Sequence, residues 1–332
     1  MSFLKQFLAP EPEESDEEFL KRRLNDFMTG NNPGNALDDI IPLARQYKQI
    51  IGIKAWSNLV ESLVTFQKEP QNQNKVLQVL NELINDDSLE SNSISGYIVN
   101  DDEALMKIIE CLSSNEAKVR MNTMALLNNL IRLQPAKVQS AFLDTRAQKL
   151  ILNLEDDPVK AIQIYFYNMV PLLVKDNPDI QQIFTFSLIN PLAEKIPTSS
   201  NEVLPVIRAL LENNTKMQTL FVQTGHLGKL LPLIKKGDQE SIQLLALIFR
   251  SSEAASFRSS LIEAGLIKPI IEQSLTTANS IPNDRRSSFL NLLGYIIKGD
   301  QDLCSLIDNN QLESLLTIAI SSSNSKEVES GL

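Results

Sequence analysis

The clearest hydrophobic pattern in the chain runs from Glu116 to Leu133, EAKVRMNTMALLNNLIRL. Val119, Met124, Leu127, Leu130 and Ile131 fall on one helical face, with no Gly or Pro among them and Pro135 just beyond. This spacing predicts a helix over 116–133. Asn122, Asn129 and Arg132 form a polar line on a second face of it. Ser15, followed by Asp16, Glu17 and Glu18, predicts a capped helix running to Met28. The turn-rich TGNNPGN of 29–35 marks a boundary. Helices are then predicted over 36–47, 51–66 and 75–85, with 67–74 a polar loop. The polar, Ser-rich and acidic stretch 86–100 reads as an exposed loop. From residue 101 the helices become regular: 103–112, 116–133, 135–143, 147–154, 159–174, 178–186, 191–196, 202–212, 216–223, 227–235, 239–250, 254–263, 267–276 and 284–297. A last unit begins at Gln301 and fades into SSSNSKEVESGL.

The helices repeat. VQTGHLGKLLPLI (222–234), IEAGLIKPIIEQSL (262–275), IDNNQLESLLTI (307–318) and FLDTRAQKLILNL (142–154) share one register. Each has an apolar residue, then a bend three residues later at Gly225, Gly265, Asn310 or Thr145, then apolar positions leading into the next helix. Gly and Asn tolerate the positive φ that such bends use. The period is about 40 residues with three helices per unit, one of them short, which is the signature of armadillo-type or HEAT-type stacks. The expected fold is all-α: an armadillo/HEAT-like, right-handed superhelical solenoid of three-helix repeats. It occupies 35–322, between an acidic N-terminal segment with one short helix (1–34) and a polar tail (323–332).

In such a stack the longest helix of each unit lines the inner face, and its polar positions become a ladder. Asn122, Asn129 and Arg132 stand on the first such helix and Arg208 on a later one. Gln243 and Arg250 follow, then Asn291 and Lys298. Amide and guanidinium groups on a rigid groove suit an extended or helical peptide, so these eight are the candidate partner-binding residues. The plainer reading is a solvated helix face. Trp56, the only tryptophan, is either core or an exposed anchor for a partner.

Charge and chemistry narrow the picture. A net charge of −10 argues against broad binding of nucleic acid or anionic lipid, so no nucleic-acid partner is expected. No apolar run reaches the ~18 residues of a membrane span. Phe3, Leu4, Phe7 and Leu8 make one apolar face that packs onto the first repeat, stays loose or touches a membrane. Ser15 also fits an acidophilic kinase motif. Cys111 and Cys304 read as free buried thiols in a reducing compartment. His226 is the only histidine and reads as a surface turn residue, which removes most nucleophilic triads and His-ligated metal sites. There is no Cys-x-x-Cys, no His-Glu-x-x-His and no P-loop spacing in GHLGK. The acidic pairs Asp38/Asp39, Asp86/Asp87, Asp101/Asp102 and Asp156/Asp157 sit at helix ends, where carboxylates cap. Neither enzymatic activity nor a metal or cofactor is expected.

Several blocks resemble the globular head of the general vesicular transport factor family, the Uso-type tethers of ER-to-Golgi traffic. They are ARQYKQIIGIKAWSNLVESLVT (44–65), with its Gly52–Ala55 core, and KVRMNTMALLNNLIRLQPAKVQSAFL (118–143), with its Val119–Arg120 pair. VIRALLENNTKMQTLFVQTGHLGKLLPLI (206–234) and LIEAGLIKPI (261–270) continue the match, which spans about residues 36 to 310. The family typically carries an aromatic residue where this chain has Met121. The resemblance implies a homodimeric, non-enzymatic protein, cytoplasmic and peripheral at Golgi and vesicle membranes. It implies recognition of a Rab GTPase, golgins, and SNARE or tether-complex components. The family's head is longer and leads into a coiled coil; no heptad stretch occurs here, so the chain reads as a fragment or a short relative. The rival readings are an armadillo-type cofactor of the Hsp70 system, clamping a chaperone lobe to release nucleotide, and a nuclear-import adaptor. The second is disfavoured because Ala125 stands where a Trp–Asn ladder needs its tryptophan.

Overall fold

The computed structural model describes residues 14–275, 283–298, 310, 311 and 313–315, and all regular structure among them is helical. Phe3, Leu4, Phe7, Leu8, Cys304 and most of the predicted last unit lie outside the described residues. The chain divides into two compact units between Leu173 and Val174.

The first unit contains α1 (Asp16–Met28), α2 (Pro33–Ala44), α3 (Lys48–Thr65), α4 (Pro70–Leu83), α5 (Leu89–Val99), α6 (Asp102–Glu110), α7 (Ala117–Leu133), α8 (Pro135–Ala141), α9 (Thr145–Leu152) and α10 (Lys160–Val174). Short 3₁₀ turns follow α6 and α9. Helices α2, α4 and α7 stand side by side in one row, and α3, α6 and α9 in another; α5 and α8 fill the third position of their repeats. The core lies where the rows meet, with Leu37, Ile40, Val76, Leu80, Leu126 and Leu127 fully buried.

Local chemistry sets the helix ends. Ser15 and Glu18 form a reciprocal capping box at α1, satisfying two otherwise orphaned donors. Pro33, Pro70 and Pro135 each occupy a first turn, where a missing N–H costs nothing. Half of the expected loop 67–74 is therefore the first turn of α4.

The stretch 86–100 is not an exposed loop. It holds α5, with Ile94, Ile98 and Val99 buried. Ser91 and Ser95 are also fully buried, and their hydroxyls donate to the carbonyls of Leu83 and Asn92. The serines that looked like loop composition are small packing residues. They work with Gly52 on α3, where an added Cβ would stand 2.4 Å from Ile94 Cδ1. The entry to α5 is fixed by Lys48, whose buried ammonium donates to Asn85, Asp86 and Ser91 at 2.7–3.0 Å. That ammonium, with help from the Ser88 and Ser91 hydroxyls, holds the Asp86 carboxyl far below the usual carboxylate range.

The second unit contains α11 (Pro178–Leu211), α12 (Thr215–Gln223), a 3₁₀ turn (His226–Leu230), α13 (Leu231–Lys235), α14 (Gln239–Phe249), α15 (Ala254–Glu263), α16 (Ile267–Leu275) and α17 (Asn283–Ile297). Here α11, α14 and α17 form a row, α12 pairs with α15, and α13 with α16. Two of the three helices expected over 178–212 are fused. The chain stays helical through Pro191 because Leu188, Ile189, Leu192 and Ala193 form a continuous buried face. The break comes instead at Ser199, with φ −140° and ψ 36°.

Gly225 and Gly265 take the positive φ that the repeat requires, at 78° and 68°. Thr145 does not. Asp144 caps α9 from an extended conformation, accepting from the N–H groups of Arg146 and Ala147. Asn310 is helical rather than a bend. His226 is not a surface residue: it is 5% exposed. Its Nε2 lies 2.8 Å from Asn190 Oδ1 and its ring 5.4 Å from that of Phe221. Burial, and then the nearby Lys229 charge, push its pKa below the usual histidine value. The helix-end position was right, but the turn folds the imidazole under the neighbouring helix.

Candidate functional site

The eight polar candidates fall into two groups with different surroundings. In the first unit, Asn122, Asn129 and Arg132 share one stripe of α7, as their spacing required. Asn122 is tied into the fold: its side-chain amide donates to Asn74 Oδ1 at 2.7 Å, and its main-chain carbonyl accepts from the Asn81 side chain at 2.9 Å, stitching α7 to α4. Arg132 is ion-paired with Asp87. Asn129 is partly buried and makes no side-chain hydrogen bond among the described residues.

The same helix carries Arg120, which binds the chain rather than a ligand. Its guanidinium holds Asp157 through two bonds of 2.7 and 3.0 Å and donates to the carbonyls of Ser114 and Asn115. Both side chains are buried. Asp157 also accepts from the Val159 N–H, so a carboxylate expected only to cap is at once a cap and half of a buried, bidentate pair.

In the second unit the structure brings four candidates together. Arg208 near the end of α11, Gln243 and Arg250 on α14, and Asn291 on α17 line one open groove of about 590 Å³. Glu212, Ile242, Ala246, Leu247, Ser288 and Tyr295 complete its lining. The row of helices explains the convergence: positions 208 and 212, then 243, 246 and 250, then 288, 291 and 295 are each one face of a helix. Arg208 lies 3.5 Å from Glu240. Ser288 accepts a 2.9 Å hydrogen bond from Gln239. Arg250 is exposed and forms no ion pair among the described residues. Lys298 is exposed past α17 but is not among the lining residues. Tyr295 was missed from the sequence, although it stands one turn beyond Asn291 and the same spacing rule reaches it.

Other reactive groups are occupied. Cys111 is buried, accepts from Gln73 Nε2 at 3.5 Å, and burial pushes its thiol up to about 12. Among the described residues no cluster of three or more His, Cys, Asp or Glu side chains is placed to hold a metal ion. No helix among them is long and apolar enough to cross a membrane.

A stack of three-helix repeats with one polar-faced row defines the chain as an armadillo-like all-α solenoid protein. No protein-family model matches the sequence. It is similar to general vesicular transport factor p115 of Bos taurus, 20% identical over 307 residues, covering 80% of this chain and 32% of that protein. The chain thus spans about a third of the length of this relative. In structure it is similar to the crystal structure of Uso1-2, with a TM-score of 0.84 at 15% identity, covering 98% of this chain and 62% of the other. It is also similar to a designed armadillo repeat protein in complex with the peptide (KR)4, with a TM-score of 0.61 at 16% identity, covering 73% and 99%. The resemblance read from the sequence blocks is therefore met in both sequence and fold. The similar proteins are transport factors and armadillo-type proteins rather than enzymes.

Proposed function

We propose that the chain is the recognition head of a vesicle-tethering factor in ER-to-Golgi and intra-Golgi traffic, acting by protein–protein recognition with no chemistry of its own. The observation that carries this reading is similarity to a general vesicular transport factor across 80% of the chain, in the same fold as Uso1. The expected partners are a Rab GTPase, golgins, and SNARE or tether-complex components, met at the cytoplasmic face of Golgi and vesicle membranes. Membrane association is peripheral, through those partners, and the parent protein works as a homodimer.

The groove of Arg208, Gln243, Arg250 and Asn291 is the surface we assign to partner binding. Its lining offers amide and guanidinium donors beside Ile242, Ala246 and Leu247, which suits an extended segment carrying carboxylate or carbonyl acceptors. Two arginines disfavour the basic peptide that the designed armadillo protein holds. Asn129, Arg132 and Lys298 are secondary candidates, and Asn122 serves the fold first.

The test is capture from native lysate with the chain as bait, followed by identification of what is retained. Rab GTPases, golgins or SNAREs support the reading. Retention of Hsp70, with accelerated ADP release when the chain is added, would replace it with the chaperone-cofactor role.

A further inference from the structure

The two arginines of the groove stand differently toward a ligand. Arg208 faces carboxylates of its own chain. Glu212 stands one turn further on, at the end of α11. Glu240, in the first turn of α14, lies 3.5 Å from the Arg208 Nε. The Oε2 atom of Glu240 is buried and accepts no hydrogen bond among the described residues, so Arg208 is the cation that balances it. A ligand that drew Arg208 away would strand a buried carboxylate, which is costly.

Arg250 has no such tie. It is the cap residue at the C-terminal end of α14, about 15 Å along the helix from Glu240. Its side chain is exposed, lines the groove and forms no ion pair among the described residues. Glu212 is the one acid in the described lining, and it shares its helix with Arg208 rather than with Arg250. The rest of the lining is uncharged.

An unshared guanidinium offers a carboxylate two parallel N–H donors, a geometry that a carbonyl or hydroxyl cannot fill. The net charge of −10 does not draw an acidic ligand from afar. Charges are screened beyond about 8 Å at physiological salt, however, so at contact range the local guanidinium decides. Between Glu240 and Arg250 on α14, the Gln243 amide can hold a peptide group, and Ala246 and Leu247 leave room for small apolar side chains.

Building on the assignment of this groove to partner binding, we propose that its occupant is an acidic segment of a partner protein, with an aspartate or glutamate carboxylate seated on Arg250. Arg208 stays with Glu240 and acts as a positioning residue that shapes the groove without pairing with the ligand.

The test uses the full chain and three end-blocked, fluorescein-labelled peptides, (Glu-Ala)4, (Gln-Ala)4 and (Lys-Ala)4, with binding read by fluorescence anisotropy. The acidic peptide binds saturably and more tightly than the other two. Arg250→Gln weakens it by about tenfold or more while melting as the wild type does. Arg208→Gln weakens it much less, although it melts earlier, and Arg250→Glu takes up (Lys-Ala)4 instead. Undiminished binding of (Glu-Ala)4 by Arg250→Gln overturns the proposal, as does a loss in Arg208→Gln as large as that in Arg250→Gln, or saturable binding of none of the three peptides. Ala246→Trp, which fills the groove, distinguishes the two levels of failure. If (Gln-Ala)4 binds as tightly as (Glu-Ala)4 and both are lost in this variant, the groove stands and the acidic occupant falls. If (Glu-Ala)4 binding survives in it, the peptide sits elsewhere and the groove falls as well.

Discussion

Helix α7 of the first unit and helix α14 of the second carry the same kinds of polar residue and use them differently. On α7, Asn122 is bonded to α4 and Arg132 to Asp87, while Arg120 below them clamps Asp157. On α14, Gln243 and Arg250 face a groove that α11 and α17 complete without neutralising them. Sequence spacing alone makes the two stripes look equivalent. What separates them is where the neighbouring helices supply partners: α4 offers Asn74 and Asn81 to the stripe of α7, whereas Arg208 and Ser288 reach only the first turn of α14, at Glu240 and Gln239, and Gln243 and Arg250 further along line the groove. In a helical stack, packing therefore decides which rungs of a polar ladder are tied into the fold and which line an open groove.

The largest effect that breaks this contrast lies in the first unit. Asp157→Ala strands a buried guanidinium and should cost about 3–5 kcal/mol of stability, read as a lower urea midpoint. Gly52→Ala comes next. The new methyl must push Ile94 away, and overpacking of this kind costs about 1–3 kcal/mol, visible in thermal melting. Asn122→Ala should lose about 0.5–1.5 kcal/mol while leaving partner capture intact, as befits a residue that serves the fold.

The smallest effect is acid sensitivity of the second unit. His226 has its pKa lowered in the folded state by burial. The unfolded chain therefore binds the proton more readily, and stability is fully present above the ordinary histidine pKa of about 6.5. It declines as pH falls from there toward the folded value. His226→Gln, which keeps a polar partner for Asn190, should flatten that part of the pH–stability curve measured by urea titration.

Much of the fold was legible in the sequence because helical packing writes itself as periodicity. The boundaries of α15 and α17 were anticipated closely, and Gly225 and Gly265 marked real bends. The misses have physical causes. Helix α5 was hidden because Ser91 and Ser95 pack as small core residues, a role that composition cannot separate from solvation. Pro191 was taken as a break, but a continuous buried face carries the helix through it. Thr145 was aligned with glycine bends although Asp144 makes the turn by capping instead. For the groove, spacing identified Arg208, Gln243, Arg250 and Asn291, and one more step would have added Tyr295. It could not distinguish Asn122 from Gln243, because that difference rests on what the adjacent helix presents.

The central claim is that the second-unit groove binds partners and the first-unit stripe holds the fold. The most direct test captures partners from one lysate with two double variants, Gln243→Ala/Arg250→Ala and Asn122→Ala/Asn129→Ala, each beside the wild type and each with its melting curve. The account predicts that the first variant loses the captured proteins while melting as the wild type does, and that the second melts earlier but retains them. Full retention by the groove variant, or loss confined to the α7 variant, would contradict it.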